Sequence, residues 1–258
     1  MCGITGIFAY TNAAPPVNSQ ELLQMREVMA ARGPDDAGIW LSERIGLAHR
    51  RLSIIDLTKM GAQPMTTQDG IIRIVFNGEI YNYRQLRSQL KAKGYSFHTN
   101  SDTEVLLHLY IEYGAEMVYH LRGMYAFAIW DDKNKGLFLA RDPFGIKPLY
   151  YADDGLSFRF ASQVKALLKG GQIDTTPQAA GHVGFFLWGY VPEPYTLYKG
   201  IHSLPAGTSL WIDTTNKHQF NTFFKISEEI AKTHDTIIHP DEIKEHLHQA
   251  DSRLERTM

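Results

Sequence analysis

Cysteine occurs once in these 258 residues, at position 2. A single cysteine closes no intramolecular disulfide and cannot build a cysteine zinc cluster. Long apolar runs are also missing: nothing approaches the roughly 18 residues that a membrane helix needs. The opening MCGITGIFAY is apolar but short, has no basic start and meets no small-residue cleavage signal, so it does not read as a secretory signal. Charge of one sign is absent: 26 Lys and Arg against 28 Asp and Glu leave a formal net charge of -2, with no general pull toward nucleic acid or anionic lipid. Repeats, low-complexity tracts and long linkers are missing through about residue 225. These absences predict a cytoplasmic protein that engages neither membrane nor nucleic acid. The histidines predict no metal site, because His246 and His248 stand two apart and do not share a helix face.

What is present reads as a folded α+β chain. A hydrophobic fraction of 44% with 21% charged residues is globular, and the length suits one large domain or two small ones. MCGITGIFAY is too continuously apolar for a half-exposed strand and is expected to be buried on both faces. A helix is predicted over 19–31, capped by Asn18 with Glu21 at the capping-box position, and with Leu22, Met25 and Met29 on one face. A second follows Asn82 over 83–93, with Gln85 in the box and Gly94 as stop. A third follows Ser101-Asp102, with Glu104 in the box and Val105, Leu106 and Leu109 inward. Strands are predicted over 71–76, 125–131, 136–142, 148–153, 158–162 and 207–213, with DKNKG (132–136) as a hairpin turn. Hairpin-connected strands with a few packed helices predict antiparallel sheets. From about 226 to 258 the chain turns polar. Pro240 is placed to open a helix, with Ile243, Leu247, Ala250 and Leu254 along one side.

Cys2 alone reads more readily as an incidental small residue near a terminus. It gains chemistry if Met1 is cut off, which a small second residue permits. The freed α-amine has a reference pKa of about 7.7–8.0, so it can accept the thiol proton directly or through water. Such a nucleophile needs donors for an oxyanion. Asn77-Gly78, after the apolar run 71–76, can supply a side-chain amide and a closely approaching backbone, though Asn-Gly is also a strong turn signal. A free amino acid needs a cation for its carboxylate, for which Arg50 and Arg51 ahead of LSII are candidates. It also needs an anion for its ammonium, for which Asp102 is a candidate beside its commoner role at a helix start.

Nine segments together resemble the class II glutamine amidotransferases, which are N-terminal-nucleophile hydrolases. They are MCGITGIF (1–8), RGPDD (32–36), GLAHRRLSIIDL (46–57), GAQPM (61–65), FNGEIYNY (76–83), SDTEV (101–105), GMYAFAIWD (123–131), RDPFGIKPLYY (141–151) and LPAG (204–207). Within that class, RLSIIDL with GAQPM and NGEIYNY is most similar to the glutaminase domain of glutamine-hydrolysing asparagine synthetases. The resemblance implies a four-layer αββα sandwich of two antiparallel sheets over 1–225. It implies Cys2 as nucleophile, with Asn77 and Gly78 as oxyanion hole. Arg51 would hold the glutamine carboxylate, leaving Arg50 structural. Backbone around Leu52, Ile54 and Ile55 would line the pocket, and Glu79 and Asp102 would grip the amino group and nearby polar atoms. Glutamine would be hydrolysed to glutamate and ammonia through a thioester, with no cofactor for this half.

Asparagine synthetases continue into an ATP-pyrophosphatase domain with a Ser-Gly-Gly-x-Asp-Ser loop, and that loop is absent from these residues. ATP and Mg2+ would belong only to that second domain or a separate subunit, which is the expected partner. Residues 226–258 would be the polar helical tail leading to it, with Ile243, Leu247 and Leu254 as a docking stripe. A homodimer, a different ammonia acceptor and a non-catalytic assembly role all stay open.

Overall fold

This computed structural model describes residues 1–53, 58–171, 173–215, 217–233, 241–245, 247 and 248. The strands are β1 (Gly3–Ala9), β2 (Asp36–Leu41), β3 (Ile45–Arg51), β4 (Met65–Thr66), β5 (Ile72–Ile80), β6 (Gly123–Asp131), β7 (Gly136–Arg141), β8 (Tyr150–Asp153), β9 (Ser157–Ala161), β10 (His202–Ser203), β11 (Thr208–Asp213) and β12 (His218–Thr222). The helices are α1 (Ser19–Glu27), α2 (Tyr83–Ala92), α3 (Asp102–Tyr113), α4 (Val164–Leu167), α5 (Ala179–Trp188) and α6 (Ile226–Thr233). They build two six-stranded sheets. One runs β10-β8-β9-β1-β3-β2 and the other β12-β11-β7-β6-β5-β4, with every pairing antiparallel.

Strand alternation sorts the apolar side chains into three cores and so into four layers. In β1, Ile4 and Phe8 pack between the sheets against Val75, Ala128 and Trp130 of the other sheet, while Ile7 packs outward on Leu22 and Met25 of α1. In β5, Ile72, Ile74 and Phe76 face outward onto Val105, Leu106 and Leu109 of α3, while Val75 faces the sheet opposite. The layers therefore read α1 and α4, first sheet, second sheet, α2 and α3. This is the αββα sandwich that the resemblance implied. Every residue of β1 is buried, as its unbroken apolar run requires.

Several local expectations are corrected. Helix α1 ends at Glu27 and continues only as turns, although Asn18 does cap it through Gln20 N–H and Glu21 N–H. Glu21 does not close a capping box: its Oε1 accepts from Arg159 Nε at 2.7 Å and from Gly171 N–H at 2.6 Å. Asn82 makes no side-chain cap, because its amide is used by His120 O and Arg122 N–H across the loop. Glu104 accepts from His98 N–H and Thr99 N–H, so it fastens the segment before α3 instead of closing a box. Arg51 closes β3, Leu52 and Ser53 lie beyond it, and Ile54 and Ile55 fall outside the described residues. Asn77-Gly78 is no turn. Strand β5 runs through both to Ile80, in register with Ala126 and Tyr125. Helical residues appear at 241–245, whereas Pro240, His246, Ala250 and Leu254 lie outside the described residues. Strands β2, β3, β4, β10 and β12 and helices α4 and α5 went unpredicted.

Candidate active site

The site follows from where strands end. Counting alternation back from Ile4 puts Cys2 on the same face of the first sheet as the side chains that pack between the sheets. The same parity in β3 puts Ile45, Leu47, His49 and Arg51 on that face. In β5, Asn77 shares the parity of Val75 and so looks back across from the second sheet. Cys2, Arg51 and Asn77 are thus brought together from three strands at one end of the sandwich. They line a cavity of about 260 Å³ with Leu52, Gly78, Glu79, Asp102 and Thr103. That volume is below the roughly 300–1,000 Å³ of pockets for drug-sized ligands, so a small metabolite suits it.

The Cys2 thiol is held on the backbone just past β3. Its Sγ accepts from Leu52 N–H at 3.4 Å and lies 3.6 Å from Leu52 O as donor. Arg32 Nε donates to Cys2 O at 3.0 Å and ties down the peptide. Burial pushes the thiol pKa up, opposed by the Leu52 N–H, the N-terminal amine and Arg51. The amine, here that of Met1, is pushed below its usual range by burial, with further lowering from Arg32 and Lys147. The RGPDD segment packs on the same strand: Asp35 N–H donates to Arg51 O, and Asp35 Oδ2 accepts from Ser53 N–H at 2.8 Å. A Cβ at Gly33 would come within 2.3 Å of Arg50 C, so only glycine lets that loop lie this close.

Asn77 is 1% exposed, and its Nδ2 is buried without a hydrogen-bond partner among the described residues. An amide N–H left unpaired in a core costs roughly 1–3 kcal/mol, and this one belongs to a residue lining the cavity. Next to it, a Cβ on Gly78 would stand 2.2 Å from Met124 O and 2.7 Å from Tyr125 Cα, so the strand passes β6 only as glycine. Arg51 is buried and donates from Nη1 to Thr58 O at 2.8 Å. Arg50 points the other way, to an ion pair with Glu27, in the structural role expected of it.

Asp102 is the first residue of α3 and is 4% exposed. Its Oδ2 accepts from Ile80 N–H at 3.1 Å. Burial raises its pKa to about 7; Glu79 adds to the rise and the Ile80 N–H opposes it. Ser101, not Asp102, caps the helix, through Thr103 N–H. The Asp102 carboxylate is held by the Ile80 N–H and by the N–H groups of the helix start, and the residue lines the cavity.

The structure adds Gln63, Thr103, Met124 and Lys147 to the wall. Gln63 bridges two elements: its Oε1 accepts from Phe76 N–H at 2.6 Å and its Nε2 donates to Thr103 Oγ1 at 3.2 Å. His49, buried between the sheets, contacts Phe76 O through Nε2 at 3.2 Å, and burial lowers its pKa to about 3, so it is a neutral structural bridge. Gln63 sits inside GAQPM and Lys147 inside RDPFGIKPLYY, but nothing in their spacing marked them as pocket residues. Among the described residues no group of His, Cys, Asp or Glu has the arrangement of a metal site, and no helix is long and apolar enough to cross a membrane.

Comparison with known proteins agrees with this architecture. Asparagine synthetase [glutamine-hydrolyzing] 1 of Bacillus subtilis (strain 168) is 42% identical over 234 residues, covering 90% of this chain and 37% of that protein. A putative asparagine synthetase [glutamine-hydrolyzing] 2 of Methanocaldococcus jannaschii is 37% identical over 233 residues, covering 83% of this chain and 44% of that protein. The chain thus spans less than half the length of these curated relatives. The solved glutamine phosphoribosylpyrophosphate amidotransferase of B. subtilis, in complex with ADP and GMP, shares the fold with a TM-score of 0.62 at 22% identity, over 86% of this chain and 49% of that one. The glutamine amidotransferase domain profile matches residues 1–224, so the chain belongs to the glutamine amidotransferase domain family.

Proposed function

We propose that this domain hydrolyses glutamine to glutamate and ammonia, with Cys2 as nucleophile once Met1 is removed. The observation that carries the reading is the buried, unpartnered Asn77 Nδ2 on the cavity shared with Cys2. A buried donor without an acceptor is what a site preorganised for a developing oxyanion requires.

The freed α-amine takes the Cys2 proton, and the thiolate attacks the side-chain amide carbon of glutamine. Asn77 Nδ2 and the Gly78 N–H donate to the oxyanion. The protonated amine gives its proton to the leaving nitrogen, ammonia departs, and a thioester remains. Water, deprotonated by the same amine, attacks the thioester, and glutamate leaves. Arg51 pairs with the substrate carboxylate, Asp102 with Glu79 takes the ammonium, and Leu52 lines the slot. This chemistry uses no metal or cofactor.

The relatives named as glutamine-hydrolysing asparagine synthetases support a second step elsewhere. In this reading the domain is the ammonia-supplying half of an asparagine synthetase-like enzyme. An ATP- and Mg2+-dependent synthetase domain or subunit is its partner and consumes the ammonia.

The test uses protein confirmed by mass to lack Met1. Glutamate release from glutamine and labelling by an electrophilic glutamine analogue are both expected, and both should vanish in Cys2→Ala. Processed wild type with neither thiol-dependent turnover nor labelling would sink the proposal.

A further inference from the structure

Strand β5 turns one edge toward the cavity. Its odd-numbered residues exchange hydrogen bonds with β6: Tyr81 N–H donates to Arg122 O at 2.7 Å at one end of the pairing, and Asp132 N–H to Ile71 O at 3.0 Å at the other. Its even-numbered amides therefore point away from β6. On that side β4 pairs only with Arg73 and Ile74, so the edge beyond has no strand partner among the described residues. Side chains take its place. Gln63 Oε1 accepts from Phe76 N–H at 2.6 Å, and Asp102 Oδ2 accepts from Ile80 N–H at 3.1 Å. The Gly78 N–H lies between these two on the same edge. No side chain among the described residues takes it, and Gly78 lines the cavity.

Gln63 is buried and held at both ends of its carboxamide. A backbone N–H can only donate, so the atom beside Phe76 N–H is the oxygen, and Nε2 is left to donate to Thr103 Oγ1 at 3.2 Å. The side chain thus bridges β5, two residues before Gly78, to the first turn of α3, next to Asp102. Its backbone lies directly on β2, where a Cβ at Gly38 would stand 1.7 Å from Gln63 O. A buried carboxamide satisfied at both ends holds its neighbours to one spacing.

We propose that Gln63 is a positioning residue for the oxyanion donor: it closes the open edge of β5 two residues before Gly78 and so sets where the Gly78 N–H points. The inference rests on the glutaminase reading and deepens it. An oxyanion donor stabilises the transition state only from the place where the negative charge develops, so a small shift of β5 weakens that bond most. Contacts to the amino-acid end of the substrate are held by other means. Asp102 keeps its bond to Ile80 N–H, and Arg51 keeps its bond to Thr58 O. Loss of the Gln63 carboxamide therefore falls on kcat.

The test uses protein confirmed by mass to lack Met1 and compares wild type, Q63M and T103V. Q63M keeps the length of the side chain and removes the acceptor. T103V keeps the shape of its side chain, removes only the partner of Nε2, and serves if Q63M does not fold. Active sites are counted by Cys2 labelling with an electrophilic glutamine analogue, so unfolded protein does not lower kcat. In Q63M, kcat per labelled site should fall about tenfold or more, with KM for glutamine within about twofold of wild type. T103V should lose about threefold in kcat, in the same direction. A second readout is the γ-aldehyde analogue of glutamine, whose carbonyl adds the Cys2 thiol to give a tetrahedral hemithioacetal. Its affinity should fall by the same factor as kcat, while that of glutamate stays put. Fewer labelled sites with unchanged kcat per site and unchanged aldehyde affinity would overturn the proposal, because that is all a structural role would do. A loss confined to KM would overturn it too, placing Gln63 on the amino-acid end of the substrate. Wild type that neither labels nor turns over would sink the glutaminase reading itself, so the two failures are distinguishable.

Discussion

The residues of the cavity divide by what burial does to them. Asn77 keeps an unpaired amide N–H, and its replacement by alanine removes that donor without opening the sheet. In Asn77→Ala, kcat should fall about 10²–10³-fold with little change in KM, read from steady-state glutamate release. An equal loss in binding would place Asn77 on the ground-state amide instead. Asp102 behaves differently, because burial holds its pKa at about 7. Below that pH the carboxyl is neutral and cannot pair with the substrate ammonium; above it the carboxylate is available. Glutamine affinity for a Cys2→Ala variant, measured by calorimetry, should therefore rise as pH goes from 6 to 7 and level off beyond, up to about tenfold per unit. Asp102→Asn should bind weakly at every pH and lose this dependence.

At the scale of elements, the site depends on β5 running straight through Asn77-Gly78. Two sheets meet here, and a turn would have taken Asn77 off the inter-sheet face. Gly78 permits the passage because Met124 O leaves no room for a Cβ. Gly78→Ala should push β5 off β6 and destabilise the fold by about 1–3 kcal/mol in urea unfolding, with glutaminase activity lost in the protein that remains folded. The Asn-Gly pair favours a hairpin by local propensity, and pairing of β5 with β6 over nine residues overrides it. The three helices predicted from capping signals are all present, yet two of the three box partners, Glu21 and Glu104, serve contacts outside the helix ends. A cap is a local interaction and can be read along the chain. The competitor for the same carboxylate, Arg159 at 138 residues' distance, cannot.

Across the whole molecule, apolar side chains are not all inside. Helix α5 exposes Phe186 at 83%, Leu187 at 67% and Trp188 at 59%. Only its glycines pack closely, Gly181 on Thr196 O and Gly184 on Pro192. Phe186→Ser and Trp188→Ser should therefore leave the unfolding free energy of this chain within about 0.5 kcal/mol. Phe127→Ala, in the core between the second sheet and its helices, should cost about 3–5 kcal/mol in the same denaturant titration. A large loss from the α5 variants would mean that this helix packs more tightly in solution than described.

Composition and periodicity were enough for an α+β chain with antiparallel sheets, a fully buried first strand and the inward faces of α1 and α3, because apolar spacing is a property of consecutive residues. The nine ordered segments were enough for the family resemblance and for Cys2, Arg51, Asn77, Gly78 and Asp102 as the pocket. The tertiary structure alone decided that Arg51 and Asn77 line one cavity from two sheets and that Asp102 joins them there while Ser101 caps α3. It alone set Gln63 and Lys147 on the wall. Those outcomes depend on strand register and on packing between residues far apart in sequence. No local pattern encodes which face of one sheet meets which face of the other.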